Sequence, residues 1–227
     1  GIPLVNIISL DPEERITAVV PVPDFSKAEF CTMATAKGRV KRVALEEFEG
    51  VRPSGLIAIK LDEDDYLGWV CLTTGEDDIL LVTRQGMALR FSEDQIRPMG
   101  RTAMGVTGIR LRNDKLAGME AVEPGGFLLV VTDNGFGKRT DLKEYVSKSR
   151  AGLGVATINK KAVKHIGLIA AARVVQTSDE VTFISSGGIV LRLKVANIST
   201  QGRTTRGVTL RDLEEGDSVA AVARITE

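Results

Sequence analysis

DILLVTRQGMALRFSEDQI, residues 78–96, contains two apolar runs separated by a turn that carries a glycine. Three other stretches repeat this arrangement: EFCTMATAKGRVKRVALEEF from Glu29, GFLLVVTDNGFGKRTDLKEY from Gly126 and EVTFISSGGIVLRLKVANI from Glu180. The turn glycines are Gly38, Gly86, Gly135 and Gly188. An arginine follows each of them by four residues, at Arg42, Arg90, Arg139 and Arg192, and a large apolar residue follows by ten, at Phe48, Ile96, Tyr145 and Ile198. A β-hairpin explains this spacing, because glycine readily takes the positive φ of a tight turn.

Each unit continues beyond its hairpin in the same order. A loop with arginine leads to a second glycine and a strand such as GLIAIKL (55–61), and an acidic turn then precedes a last apolar strand such as YLGWVCL (66–72). Four strands in about 50 residues are typical of one blade of a propeller-like array. We therefore predict an all-β chain that forms one domain over residues 1–227. Its predicted full repeats are 29–77, 78–125, 126–179 and 180–227.

Residues 1–28 match only the tail of a repeat, so we expect them to belong to a blade whose head precedes this sequence. Four heads and five tails do not close a regular ring, and we predict an open ring of blades. Helix evidence is weak, because glycine and proline interrupt every short stretch and no long segment keeps a period of 3.6 residues.

Composition narrows the class of protein. Hydrophobic residues make up 43% of the chain, which is enough for a packed core, and no apolar run is long enough to cross a bilayer. We expect no membrane partner and a cytoplasmic location. Cys31 and Cys71 are too few for a disulfide framework or a structural zinc site, so we expect buried thiols.

The formal net charge is zero, but the charges are separated along the chain. Acidic residues gather in short turns, such as Asp62–Asp65, whereas basic residues gather around the second hairpin strand and the loop after it. A repeat places equivalent positions at equivalent points of each blade, so we predict one basic belt around the array. The fourfold repetition of the hairpin arginine could also reflect a structural salt bridge made in every blade. The loop arginines Arg101, Arg150, Arg203 and Arg206 are the stronger candidates for contacts with a partner, because loops lie on the surface.

Catalytic patterns are missing from the sequence. His165 is the only histidine, and the glycine-rich NGFGKRT (134–140) lies in a hairpin and lacks the spacing of a phosphate-binding loop. Tyr145 occupies a predicted core-anchor position, and Tyr66 follows four acidic residues, which is unfavourable for attack on a phosphate. We predict no catalytic residue, no metal site and no cofactor in this chain.

Three segments resemble the C-terminal domain of the DNA gyrase A protein: RPMGRTAMGVTGIRL (97–111), NGFGKRTDLKEY (134–145) and ISTQGRTTRGVTL (198–210). The related domain of topoisomerase IV is the nearest similar family. The resemblance implies a β-pinwheel that wraps double-stranded DNA around its outer edge and serves DNA supercoiling in the bacterial cytoplasm. It also implies that the partners are the rest of the gyrase A protein and, through it, the gyrase B protein, with ATP and Mg²⁺ used by other parts of the enzyme. The family's basic, glycine-rich box is absent here, although SRAGLG (149–154) and QGRTTRG (201–207) partly match it.

A basic belt would bind the phosphate backbone of almost any duplex, because phosphate contacts carry no sequence information. The predicted DNA contacts are Lys41, Arg42, Arg90, Arg97, Arg101, Lys138, Arg139, Lys148, Arg150, Arg192, Arg203 and Arg206. Two alternatives remain open from the sequence: a propeller-type scaffold whose belt contacts an acidic protein, and the DNA-binding domain of topoisomerase IV.

Overall fold

The computed structural model describes residues 6, 8, 10, 13–22, 24–50 and 55–226. It is an all-β protein, as predicted. The strands are β1 (Phe30–Thr35), β2 (Arg39–Ala44), β3 (Leu67–Thr73), β4 (Asp78–Thr83), β5 (Met87–Ser92), β6 (Val106–Thr107), β7 (Leu116–Ala121), β8 (Phe127–Thr132), β9 (Phe136–Asp141), β10 (Val155–Ala156), β11 (Ile169–Val175), β12 (Glu180–Ser185), β13 (Val190–Lys194), β14 (Val208–Thr209) and β15 (Val219–Ile225). In the described part of the chain, α-helix is limited to α1 (Val163–Ile166), and short 3-10 turns follow the hairpins.

The strands form four antiparallel sheets, which we call blades 1 to 4. Their strand orders are β3-β1-β2-β6, β10-β5-β4-β7, β11-β8-β9-β14 and β13-β12-β15. The centre of each blade is a predicted hairpin, and all four turn glycines have positive φ, from 78° at Gly135 to 85° at Gly86. The apolar anchors Ile96, Tyr145 and Ile198 are buried as expected, and Phe48 is half-buried.

The outermost strand of blades 1 to 3 comes from the following repeat. Strand β6 pairs with β2, β10 pairs with β5, and β14 pairs with β9. A glycine with positive φ precedes each exchanged strand, at Gly105, Gly154 and Gly207. The backbone of the neighbouring blade passes so close that a Cβ on Gly154 would lie 2.4 Å from the Ala88 carbonyl oxygen. These glycines therefore permit the exchange that links consecutive blades.

The blades pack face to face around a central channel. Strands β3, β7, β11 and β15 line this channel together with Thr17–Val20. The apolar faces of adjacent blades form the core: Leu81 and Met119 lie between blades 1 and 2, Leu80 and Val130 between blades 2 and 3, and Val131 and Phe183 between blades 3 and 4. The inner strands pack in series from β3 to β15, and the array is an open four-bladed propeller, as predicted.

The predicted tail of a preceding repeat, residues 1–28, lies partly outside the described residues. Residues 13–22 are described and form no strand, although Thr17–Val20 reach the channel. Each complete blade takes three strands from one predicted repeat and its outer strand from the next, so that blade and repeat are offset along the chain.

Candidate nucleic-acid interface

Three loops run along the outer edge of the propeller: residues 97–105, 146–154 and 199–207, which we call the rim loops. Each begins directly after a buried anchor, at Ile96, Tyr145 or Ile198, and ends at the glycine before an exchanged strand. The buried anchor fixes the start of the loop, and pairing with the preceding blade fixes its end. Each rim loop therefore lies where two consecutive blades are joined.

One arginine of each rim loop is bound to the blade below it. Arg101, Arg150 and Arg203 each stand four residues before the exchange glycine, and each contacts a 3-10 turn of the preceding blade. The Nε atoms of Arg101 and Arg203 lie 3.7 and 3.8 Å from the carboxylates of Glu47 and Glu144. Arg150 instead donates from Nε to the Gln95 carbonyl oxygen at 3.2 Å and from its Nη1 atom to that of Thr107.

The acceptors of these arginines form a second repeated position that the sequence analysis did not single out. Glu47, Gln95 and Glu144 each follow a turn glycine by nine residues. The spacing was present in the sequence, but only the exchange of strands reveals that this position faces an arginine of the next repeat.

A second group of cations on the rim loops has no such partner. Arg97, Lys148 and Arg206 are exposed, and within the described residues their side chains make no hydrogen bond or ion pair. Their charge is directed to solvent without a neighbouring carboxylate to compensate it. Together with the half-exposed Arg101, Arg150 and Arg203, they give every rim loop two predicted DNA-contacting cations.

The hairpin arginines have a structural role in each blade. Each lies diagonally across from the first residue of the preceding strand, two positions along the register. In blades 2 and 4 that residue is an acid, and Arg90 lies 2.6 Å from Asp78 while Arg192 pairs with Glu180. In blades 1 and 3 it is a phenylalanine, and the guanidinium lies over the ring, at 4.4 Å for Arg42 and 4.8 Å for Arg139.

These contacts favour a structural role of the repeated arginine over a DNA contact, although the equivalent partner is a carboxylate only in blades 2 and 4 and an aromatic ring in blades 1 and 3. Arg42 is buried, so the expectation that it touches phosphate is corrected. Arg90 and Arg139 are partly buried in their structural contacts, whereas Arg192 retains 61% side-chain exposure because no strand covers β13 in the described residues.

Lys41 and Lys138 are also corrected, since both side chains are completely buried. Their ammonium groups face the interior and donate to backbone carbonyl oxygens of the rim loops. A side chain with this degree of burial cannot reach the phosphate of a bound duplex. The prediction of a DNA contact at this position rested on the charge of the lysine. The sequence alone does not show whether a charged side chain is buried or exposed.

Nothing in the described residues resembles a catalytic centre. No group of three or more His, Cys, Asp or Glu side chains in this part of the chain is placed to hold a metal ion. Cys31 and Cys71 are free, and burial raises the pKa of the Cys31 thiol to about 11 and that of Cys71 further still. In the part of the chain that the structure describes, no helix is long and apolar enough to span a membrane.

Fold and rim together define a class: an open β-propeller with strand-exchanging blades and a cationic outer edge. Comparison with known proteins gives the family. The sequence matches the family described as DNA gyrase C-terminal domain, beta-propeller, over residues 30–67, 77–123, 126–175 and 179–226. The chain belongs to this family.

The relatives agree with this assignment. The chain is 41% identical over 228 residues to the DNA gyrase A protein of Salmonella typhimurium, a match that covers all of this chain and 26% of the relative. A solved structure of the DNA gyrase A C-terminal domain superposes with a TM-score of 0.90 at 25% identity, over 98% of this chain and 74% of that one. The C-terminal domain of DNA topoisomerase IV superposes with a TM-score of 0.88 at 30% identity, over 98% of this chain and 69% of that one. The chain thus spans about a quarter of the curated relatives and corresponds to their C-terminal pinwheel domain, not to the catalytic region.

Proposed function

We propose that this domain binds duplex DNA without sequence preference along the rim loops and wraps it around the outer edge of the propeller. The observation that carries the proposal is the placement of Arg97, Lys148 and Arg206, each exposed and, among the described residues, without an intramolecular partner on successive joints between blades. Phosphate contacts from such cations release counterions and bind any duplex.

The repetition of the contacts is essential to the proposal. Bending about 40 bp of duplex through half a turn costs on the order of 10 kcal/mol in the elastic picture. A single patch of two or three cations does not offset that cost, whereas cations repeated along a curved surface bind each successive turn of the bent duplex.

The sequence relatives extend the proposal to the whole enzyme. As part of a gyrase A protein, the domain would supply wrapped DNA to the reaction that supercoils it, alongside the gyrase B protein and in the bacterial cytoplasm. The catalytic steps, with ATP and Mg²⁺, would belong to other parts of that enzyme. The 41% identity to a gyrase A protein supports this assignment over the DNA-binding domain of topoisomerase IV.

Binding to random-sequence duplex over a range of salt concentrations tests the proposal. The triple variant Arg97→Ala, Lys148→Ala, Arg206→Ala should reduce the slope of log affinity against log salt by about 2.7, at about 0.9 per lost phosphate contact. A control variant removes two exposed lysines outside the rim loops, Lys115 and Lys164, which precede the inner strands β7 and β11, and should leave the slope unchanged.

The same titration separates the alternatives. A protein-interaction scaffold would bind duplex weakly at every salt concentration, and the triple and control variants would then be indistinguishable. A preference for one sequence over others would contradict binding through the phosphate backbone.

A further inference from the structure

Two of the rim loops each accept hydrogen bonds from a buried lysine ammonium group. Lys138 Nζ lies 2.6 Å from the Gly202 carbonyl oxygen, 2.6 Å from the Arg203 carbonyl oxygen and 3.0 Å from Thr205 Oγ1. All three acceptors belong to the rim loop 199–207. At the equivalent position of blade 1, Lys41 Nζ donates to the carbonyl oxygen of Arg101, in the rim loop 97–105, and to that of Ala58 at 2.7 Å.

The four blades alternate at this position. Three residues after the turn glycine, blades 1 and 3 have Lys41 and Lys138, whereas blades 2 and 4 have Leu89 and Leu191. The acceptor position of the rim arginines alternates in step, with Glu47 and Glu144 in blades 1 and 3 and an amide, Gln95 or Asn197, in blades 2 and 4. The rim arginine therefore pairs with a carboxylate where blade 1 joins blade 2 and where blade 3 joins blade 4, and with an uncharged acceptor where blade 2 joins blade 3.

We propose that Lys41 and Lys138 are positioning residues for DNA binding, which hold the backbone of a rim loop so that its arginines face the duplex. The inference rests on the proposed function of the rim. Neither lysine touches DNA itself, because both side chains are buried. Lys138 bonds to the backbone of Arg203, and that loop also carries Arg206, so a single ammonium fixes the segment that presents both cations.

The three acceptors of Lys138 require its protonated form. An ammonium has three N–H donors, and a neutral amine has two, so loss of the proton leaves one loop acceptor without its bond. Burial lowers the pKa of Lys138 to about 8, an effect that Arg203 increases and that the carboxylate of Glu144 opposes. Arg203 lies on the rim loop and Glu144 on the 3-10 turn, and these two are the charged groups that act on Lys138. The residue opposite Lys138 on β8 is the apolar Val130. Because this pKa lies above 7, the ammonium form prevails at neutral pH and supplies all three donors to the rim loop.

The variant Lys138→Met tests the proposal, because it keeps the length of the side chain and removes every donor. Leu89 and Leu191 show that the blade accommodates an apolar side chain at this position. The matched control is Leu89→Met, a change at the equivalent position of blade 2, where the rim loop has no ammonium beneath it.

We expect Lys138→Met to weaken binding of a 40-bp random duplex about fivefold at pH 7 and to reduce the salt slope by about 1, as loss of about one ordered contact requires. Amide hydrogen exchange at residues 202–207 should accelerate in the DNA-free variant. Leu89→Met should leave all three measurements unchanged.

The outcomes separate this inference from the proposed function. If the wild-type domain does not bind random duplex at pH 7, the proposed function is wrong. If it binds and Lys138→Met binds equally, with unchanged exchange at 202–207, the positioning role is wrong. A reduced salt slope without faster exchange would indicate a direct phosphate contact by Lys138 and would also overturn it. Should Lys138→Met fail to fold, Lys41→Met makes the same test in blade 1: amide exchange at residues 100–105 should accelerate, and unchanged exchange there would overturn the positioning role.

Discussion

Glu93 is a buried carboxylate at a position where the other repeats have Leu45, Leu142 and Val195. One carboxylate oxygen accepts from the backbone amides of Gly75 and Asp77, at 2.8 and 2.9 Å. The other accepts from the Thr73 hydroxyl at 2.7 Å and lies 3.4 Å from Nη1 of Arg42. Glu93 therefore joins blade 2 to the end of blade 1, and it supplies the anion for a guanidinium that is itself buried.

Neutralising Glu93 should destabilise the domain strongly. In Glu93→Gln, the buried charge of Arg42 loses its partner, and we expect the free energy of unfolding to fall by about 3 kcal/mol. The exposed neighbour Asp94→Asn should change it by less than about 0.5 kcal/mol. Chemical denaturation of both variants makes the comparison, and similar values for the two would contradict the role given to Glu93.

Lys138 adds a prediction about pH. Its folded pKa of about 8 lies below the ordinary lysine value of 10.5, so the unfolded chain binds more protons between these values. The stability of the wild type relative to Lys138→Met should therefore rise with pH from about 8 to about 10.5 and be lowest near pH 7. Denaturation at pH 7 and pH 9.5 tests this, and a difference that stays constant with pH would contradict the burial of a charged amine.

The residue types and their spacing in the sequence predicted only some of these side-chain roles. The glycine offsets predicted the turns, the anchors and the repeated arginine. They did not show that Arg42 and Lys41 point inward, because a charged side chain is buried only where the three-dimensional structure provides its partners. Glu93 shows the same limit, since the other repeats have an apolar residue at its position and its acceptor role depends on a linker of the preceding blade.

At the scale of the element, the exchanged strand is the feature that defines the fold. Strands β6, β10 and β14 are only two residues long, yet each completes the sheet of the preceding blade. The sequence predicted a glycine and a strand at these places. It could not assign the strand to a neighbouring blade, because a strand of two residues carries too little periodicity to show which sheet it joins. The pinwheel followed only from the resemblance.

Substitution of an exchange glycine should separate backbone strain from steric exclusion. Gly154 has φ of 75° and a backbone carbonyl oxygen 2.4 Å from its would-be Cβ, whereas Gly216 has φ of 84° and no atom within 4 Å. Gly216→Ala should cost about 1 kcal/mol from strain alone, and Gly154→Ala about 3 kcal/mol or more. Faster amide exchange in β10 should accompany only the second change. Equal costs would mean that close approach does not fix the exchange point.

At the scale of the whole molecule, the net charge is zero, but the cations are of two kinds: those with partners inside the blades and those without. The repeated hairpin arginines contact acids or aromatic rings within the blades. The exposed cations Arg97, Lys148 and Arg206, which have no intramolecular partner among the described residues, lie on the loops where blades join. The sequence predicted the open all-β array and favoured the loop arginines. Only the topology shows that the three rim loops succeed one another along one edge, since the order of blades in space sets their spacing.

Wrapping is the central claim, and a series of random-sequence duplexes of increasing length with a fluorophore at each end tests it most directly. If the rim loops act in succession, affinity should rise with length up to roughly 30–40 bp, and the two ends should approach each other in the complex. The single variants Arg101→Ala and Arg203→Ala, on separate joints, should each shorten the length over which affinity rises. An affinity that stays flat beyond about 15 bp, with no approach of the ends, would show that the domain binds DNA through one patch and does not wrap it.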